Sequence, residues 1–136
     1  MTLLYGSEHA NAIAALIVSM PTYLDAPDPS QLTDGQFPYV VLSVPDGVRA
    51  SERLAGRPDQ RTVYFQTRVV AFRDDQVRWA QAKVADALAG ARPVVAGFGA
   101  NVIRKTSSTA PSRDDDAGSR SIFTAVDTWS LSTMTA

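Results

Sequence analysis

Between residues 61 and 90 the hydrophobic pattern changes from a period of two to a helical period. "RTVYFQTRVVAF", residues 61–72, alternates apolar and polar side chains in the manner of a half-exposed strand. The segment that follows has an apolar stripe at helical spacing, and we expect Asp74 or Asp75 to cap this helix and Gly90 to end it. This order favours a fold in which a helix packs on a sheet. The stripe consists of Val77, Ala80, Val84 and Leu88.

A helix and a strand are predicted before this unit. Ser7 is expected to cap the first helix and Pro21 to end it, because the apolar residues between them recur at helical spacing. Residues 22–36, rich in proline, aspartate and glycine, are expected to form a surface connection without regular structure. "FPYVVLSV", residues 37–44, predicts a short strand that pairs antiparallel with 61–72. The apolar positions of the helix are Ile13, Leu16, Ile17 and Met20.

Two further strands complete the predicted fold. "NVIRKTSS", from Asn101, and "RSIFTAVDTWSLST", from Arg120, predict a long antiparallel hairpin, while "VVAGFGA" before them is too short to assign. The element order is therefore α-β-β-α-β-β. It predicts an α+β fold in which two α-helices pack on one face of a largely antiparallel or mixed β-sheet.

Composition and charge limit the classes of function. The 136 residues are 45% apolar and 20% charged, which suits one globular domain spanning residues 1–136. With 13 basic and 14 acidic residues, the formal charge of -1 predicts neither a nucleic-acid affinity nor a membrane affinity. Cysteine is absent, and no apolar segment approaches the ~20 residues needed to span a bilayer. We therefore expect a soluble protein without a signal peptide or disulfide bonds.

No arrangement of residues in the sequence is typical of an enzyme. His9 is the only histidine and has no clustered ligands around it, so a metal site is not expected. "GFGAN", residues 97–101, begins like a dinucleotide-binding loop, but the sixth position is Val102 and no helix signal follows. The adjacent carboxylates at 74–75 and 114–116 are expected to be a helix cap and part of a solvated loop. We expect no catalytic residues, no cofactor and no metal.

Three features are candidates for an interface instead. Arginines recur every four residues between the first two strands and could bind carboxylates of a neighbouring subunit, although a solvated loop with local ion pairs explains them equally well. Trp79 lies off the apolar stripe of its helix, so it either packs at the sheet margin or is exposed for a partner. "SSTAPSRDDDAGS", residues 107–119, is expected to be a mobile polar loop. The candidate residues are Arg49, Arg53, Arg57, Arg61, Trp79, Asp114, Asp115 and Asp116.

In the order and residue pattern of these elements, the chain resembles the tail terminator (tail completion) proteins of long-tailed bacteriophages, the class that includes the lambda terminator. The resemblance covers roughly residues 13–131. Its clearest part is Pro38 and Tyr39 at the start of a hydrophobic strand, followed some twenty residues later by the alternating strand and the helix "RDDQVRWAQAKVADALAG". A strand, a loop and a strand ending "FTAVDTWSLST" complete it.

The resemblance implies a non-enzymatic structural protein of the virion. Such a protein forms a ring, typically a homohexamer, that caps the tail tube, ends tail elongation and offers a surface to the head–tail connector protein. The partners implied are further copies of the chain, the tail tube protein and the connector, with assembly in the host cytoplasm. DNA would pass through the ring without sequence-specific binding, and near-neutral charge suits such a conduit. Asp114, Asp115 and Asp116 would contact the tube end or line the channel and repel phosphates.

Other functions remain open at this point. Another ring protein of the phage neck, such as a head–tail connector component, would share the size and the lack of chemistry. A small-ligand-binding, cone-shaped α+β domain would need an apolar pocket with convergent polar groups, for which His9, Tyr39 and Asp127 are the candidates. A third alternative is an enzyme with the same cone-shaped α+β fold.

Overall fold

Two helices and eight strands form the part of the chain that the computed structural model describes, which is residues 10–28, 32–44, 48–49, 60–94, 98–100, 102–114 and 122–135. Residues 10–14 are helical and belong to α1, and α2 spans Asp74–Leu88. The predicted order α-β-β-α-β-β is confirmed by α1, β2, β4, α2, β6 and β8, between which β1, β3, β5 and β7 are short additions. The strands are β1 (Thr22–Tyr23), β2 (Tyr39–Ser43), β3 (Val48–Arg49), β4 (Gln60–Ala71), β5 (Phe98–Ala100), β6 (Arg104–Ser108), β7 (Ser112–Asp114) and β8 (Ile122–Thr135).

Two long antiparallel strands form the centre of the sheet. β4 and β8 pair along their length, from Gln60 opposite Met134 to Ala71 opposite Phe123. β2 and β3 pair with the other side of β4, while β5, β6 and β7 pair in succession with the other side of β8. β1 lies outside β2 and runs parallel to it. The sheet is therefore mixed but largely antiparallel, and the predicted α+β class is confirmed.

One face of the sheet is covered by both helices. Alternate residues of β4 and β8 join the apolar residues of the helices in one buried cluster, in which the rings of Phe65 and Trp129 stack with centroids 6.4 Å apart. All four residues of the stripe predicted for α2 are buried. Burial of each Val or Leu side chain contributes about 2 kcal/mol, so this stripe holds the helix against the sheet.

A smaller cluster lies on the second face of the sheet. Its buried members are Tyr39, Val41, Val70 and Ile122. Apolar side chains from the 22–38 connection pack against it, including Leu32 and Phe37. The alternation of β2 and β4 therefore supplies apolar residues to both faces at the β1 end of the sheet.

The connection over residues 22–36 contains regular structure, contrary to the prediction. β1 forms because Thr22 and Tyr23 pair with the edge of β2, and Asp34–Gln36 form a single 3₁₀ turn. Gln36 Oε1 accepts a hydrogen bond from the Thr33 N–H at 2.8 Å and closes that turn. The segment therefore covers part of the second sheet face instead of running free over the surface.

The first helix ends earlier than predicted. The N–H groups of Leu16 and Ile17 donate to carbonyl oxygens three residues back instead of four. The helix therefore tightens and ends near residue 14, not at Pro21, and the apolar residues that follow reach the core as irregular chain. The expected cap, Ser7, lies outside the described residues.

The two ends of α2 differ in how well they match the predicted caps. The N-cap is Arg73, without a side-chain cap hydrogen bond, so the expected cap at Asp74 or Asp75 is wrong. The Asp75 carboxylate accepts hydrogen bonds from Arg73 Nε at 3.1 Å and from the Gln76 N–H at 2.8 Å. The bond from Arg73 is the main cause of a lowered pKa at Asp75. Gly90 ends the helix as predicted, with a φ of +78° that favours glycine.

Much of the predicted polar loop at 107–119 belongs to strands. β6 extends to Ser108 and β7 spans Ser112–Asp114, and both pair with β8. Between them, the Thr109 N–H donates to the Val126 oxygen at 2.9 Å, and Thr109 Oγ1 accepts from the Val126 N–H at 2.8 Å. The expectation of an unstructured loop is wrong for residues 107–114, because the free side of β8 provides partners for their backbone groups. Residues 115–119 lie outside the described part of the chain.

Candidate interaction surfaces

Part of the second sheet face is left uncovered by the other described residues. A depression of about 520 Å³ lies there, at the join of β2, β4 and β8. Leu24 and Tyr64 at this depression are 44% and 58% exposed. Exposed aromatic and aliphatic side chains beside polar ones are typical of protein contact surfaces. The lining residues are Leu24, Ser43, Val44, Tyr64, Gln66 and Thr128.

Trp79 lies on the outward side of α2 and is not part of either buried cluster. Its side chain is 46% exposed and, with Pro38 and Gln76, borders a second depression of about 410 Å³. Lys83 Nζ lies 5.7 Å from the centroid of the indole ring. The side chain is therefore partly exposed, and its role in binding a partner stays a prediction. Trp is enriched among the residues that contribute most binding energy at protein interfaces.

The described arginines of the Arg-rich segment occupy opposed backbone positions in two neighbouring strands. Arg49 of β3 is the direct Cα partner of Arg61 in β4. Arg53 and Arg57 lie outside the described residues.

Asp114 lies at the opposite end of the same sheet. Its Cα partner is Ile122, the first residue of β8, whereas Arg61 is opposite Thr133 near the last. The eleven residue steps from 122 to 133 span about 36 Å at a rise of 3.3 Å per residue. Asp115 and Asp116 lie outside the described residues. The backbone therefore places the predicted basic and acidic groups at two ends of one molecule, not in one site.

The edges of the sheet are short within the described residues. β1, at one edge, has two residues, and the other side of β8 is divided among β5, β6 and β7, of which the longest has five. A register shift between Lys105 and Ser107 interrupts β6 itself. Short and irregular edges disfavour the addition of a strand from another chain.

A buried polar group, Asp127, connects three elements under α2. Asp127 is 1% exposed, and its Oδ1 accepts hydrogen bonds from Gln81 Nε2 at 3.2 Å and from Ser108 Oγ at 2.5 Å. Its Oδ2 lies 3.7 Å from Lys105 Nζ, and that ammonium also lies 5.2 Å from the Trp129 ring centroid. The carboxylate therefore joins α2 to β6 and β8 and is fully used within the protein.

The two described candidates for a small-ligand pocket, Tyr39 and Asp127, do not converge. Tyr39 belongs to the cluster on the second sheet face, whereas Asp127 is buried under α2 on the first. Burial raises the pKa of the Tyr39 phenol, and Arg68 opposes that shift. His9 lies outside the described residues. Tyr39 and Asp127 cannot contact one ligand through an intact sheet.

One basic depression was not predicted from the sequence. Arg92 and Arg104 line a polar concavity of about 270 Å³ with Val102, Ser130 and Ser132. Arg104 and Ser130 are Cα partners in the ladder between β6 and β8. The spacing of two between Ser130 and Ser132 indicates a shared strand face. Arg92 belongs to the irregular connection after α2, and nothing in the sequence linked it to them.

Groups for metal chemistry and membrane insertion are not found in the ranges that the structure describes. No cluster of three or more His, Cys, Asp or Glu side chains there could hold a metal ion. None of the helices in those ranges combines the length and the apolar character needed to cross a membrane.

Comparison with solved structures finds the same fold in a chain of the virion of a native gene transfer agent particle. The TM-score is 0.60 at 20% sequence identity, with 91% of this chain and 84% of the other covered. No protein-family model and no curated protein sequence matches the chain. The likeness defines the fold of the chain, since the identity is too low to transfer a function.

Proposed function

We propose that this chain is a structural protein of a phage-like virion and that it acts as a tail terminator. In this role a homohexameric ring caps the tail tube, ends elongation and provides the surface that the head–tail connector protein binds. The observation that carries the proposal is the fold shared with a chain of the gene transfer agent virion over 91% of this chain. The order of strand, helix and hairpin that resembles the terminator family supports the finer assignment.

The two ends of the sheet support a head-to-tail contact between copies. A closed ring uses a heterologous interface, in which one surface of each copy binds a different surface of the next. Arg49 and Arg61 at one end and Asp114 at the other would supply complementary charges for such a contact. In the proposed ring Arg53 and Arg57 add to the basic end, and Asp115 and Asp116 to the acidic end.

Trp79 and the uncovered sheet face have separate roles in this proposal. They lie on opposite sides of the sheet, on the outside of α2 and at Tyr64 of β4. Stacking between the tail tube and the connector requires two further surfaces besides the contacts within the ring. We assign Trp79 to one of these partners and the depression at Tyr64 to the other. The function requires no catalytic group or cofactor, and assembly in the host cytoplasm would precede incorporation into the virion.

The test is the assembly state of the purified protein. Light scattering from micromolar to millimolar concentration, with negative-stain imaging at the upper end, should show monomers or loose oligomers that close into rings as concentration rises. A tight dimer at every concentration would contradict the proposal. Rings that bind a connector but do not bind tail tubes would assign the protein to another ring of the neck.

A further inference from the structure

The concavity between β6, β8 and the connection after α2 combines features of an oxyanion site. Arg92 and Arg104 are exposed, and Ser130 and Ser132 are half-buried beside them. Two guanidinium groups and two hydroxyl groups therefore border one polar space of about 270 Å³. All four can donate hydrogen bonds, and the guanidinium groups can only donate.

These donors are not used within the described part of the protein. No carboxylate in that part forms an ion pair with Arg92 or Arg104, and the hydroxyl groups of Ser130 and Ser132 have no hydrogen-bond partner there. Asp127, the buried carboxylate on β8, is bound to Lys105, Gln81 and Ser108 under α2 instead. The two positive charges at the concavity therefore remain available to an external anion.

The arrangement of donors favours a phosphate group over a carboxylate. A carboxylate has two oxygens in one plane and is satisfied by a single guanidinium fork. A phosphate group presents its oxygens tetrahedrally, so it has enough acceptor positions for two guanidinium groups and two hydroxyls together. A serine hydroxyl can rotate its proton toward the acceptor, so its hydrogen bond to phosphate costs little free energy.

We propose that Arg92, Arg104, Ser130 and Ser132 form a binding site for a phosphate group, either as a small phosphorylated anion or as part of a nucleic-acid backbone. The site does not depend on ring formation, because all four side chains belong to one copy of the chain. It carries no base-reading group, so recognition of nucleic acid here is independent of sequence. One such contact in each copy gives weak binding that becomes strong only when several copies act together.

Titration of the full chain with inorganic phosphate tests the site. The probe is the backbone amide spectrum, with chloride added so that the ionic strength stays constant as phosphate is titrated. We expect saturable shifts centred on residues 92, 104, 130 and 132. Arg92→Gln and Arg104→Gln should each weaken binding by about ten-fold, because each removes one charged fork. Arg78→Gln is the matched control, since Arg78 is an exposed arginine of α2 that does not line the concavity, and its binding should equal that of the wild type.

A single-stranded oligonucleotide without terminal phosphates separates the two sources of the ligand. If the oligonucleotide competes with inorganic phosphate at the same amides, the site binds the nucleic-acid backbone. If the oligonucleotide does not compete, the site binds small anions. Either result supports a phosphate site. Equal loss of binding in Arg78→Gln would overturn the proposal, because it would show general charge attraction. Shifts that do not saturate, or acetate binding as strong as that of phosphate, would also overturn it.

Discussion

At the scale of single residues, Asp127 shows how much of the structure depends on one buried carboxylate. Asp127→Ala would remove the acceptor of Ser108 and the charge beside Lys105, and would leave Gln81 Nε2 with the Thr109 oxygen as its remaining acceptor. We expect the free energy of unfolding to fall by about 2–3 kcal/mol, below the full value for a buried ion pair because the Lys105 side chain is 36% exposed. Urea denaturation measures this, with the exposed Asp86→Ala on α2 as a control that should change little. Similar losses in the two variants would show that the network contributes nothing.

Tyr39 predicts a dependence of stability on alkaline pH. Burial raises the pKa of its phenol above 10.0, so the unfolded chain loses this proton at lower pH than the folded chain. The contribution of Tyr39 is complete below pH 10 and is lost as pH rises through the folded pKa. Tyr39→Phe keeps the edge-on ring contacts with Tyr23 and Phe37 and should have a shallower fall in unfolding free energy above pH 10. Parallel curves for both proteins in that range would contradict this.

Elements with their own periodic signal could be predicted from the sequence, and elements held by a neighbour could not. The periodicity of their apolar residues predicted α2, β4 and β8, because burial of these apolar side chains determines where the three segments pack. β7 is a polar segment, "SRD", that is a strand only because β8 offers it free backbone groups. The burial of Asp127 could have been predicted from the alternation of β8, because Asp127 lies on the same strand face as the buried Ala125 and Trp129. Its partner Gln81 comes from another element, which no local pattern reveals.

Because β7 is held by β8, shortening the hairpin between β6 and β8 should affect stability differently depending on which residues are removed. Replacing residues 109–118 with a short Gly-containing turn removes β7 and the hydrogen bonds of Thr109 to Val126, so stability should fall by about 2 kcal/mol. Replacing residues 115–119 alone with two glycines leaves those bonds in place and a four-residue connection, and should change stability little because closure entropy varies slowly with loop length. Thermal unfolding compares the two variants. Equal stability of both would restore the interpretation of residues 107–119 as a dispensable loop.

At the scale of the whole molecule, the charged ends of the sheet lead to a test by exchange of charge. Arg53→Glu with Arg57→Glu should fold normally yet fail to form rings, and Asp115→Lys with Asp116→Lys should fail in the same way. Mixing the two proteins should restore rings, because each reversed end then meets a complementary end on the other protein. Assembly of the wild type should also weaken with added salt. Normal rings in either protein alone would return these segments to ordinary solvated loops.

The position of β8 in the sheet has a consequence for synthesis of the chain. β8 pairs with four other strands, and it leaves the ribosome after all of them. Every contact that it makes with β4 spans more than fifty residues of sequence, a high contact order that slows folding. A nascent chain that stops before β8 has only one of the two central strands and lacks the strand that orders β5, β6 and β7. A prematurely terminated product therefore lacks the native fold, and only synthesis through β8 completes the sheet.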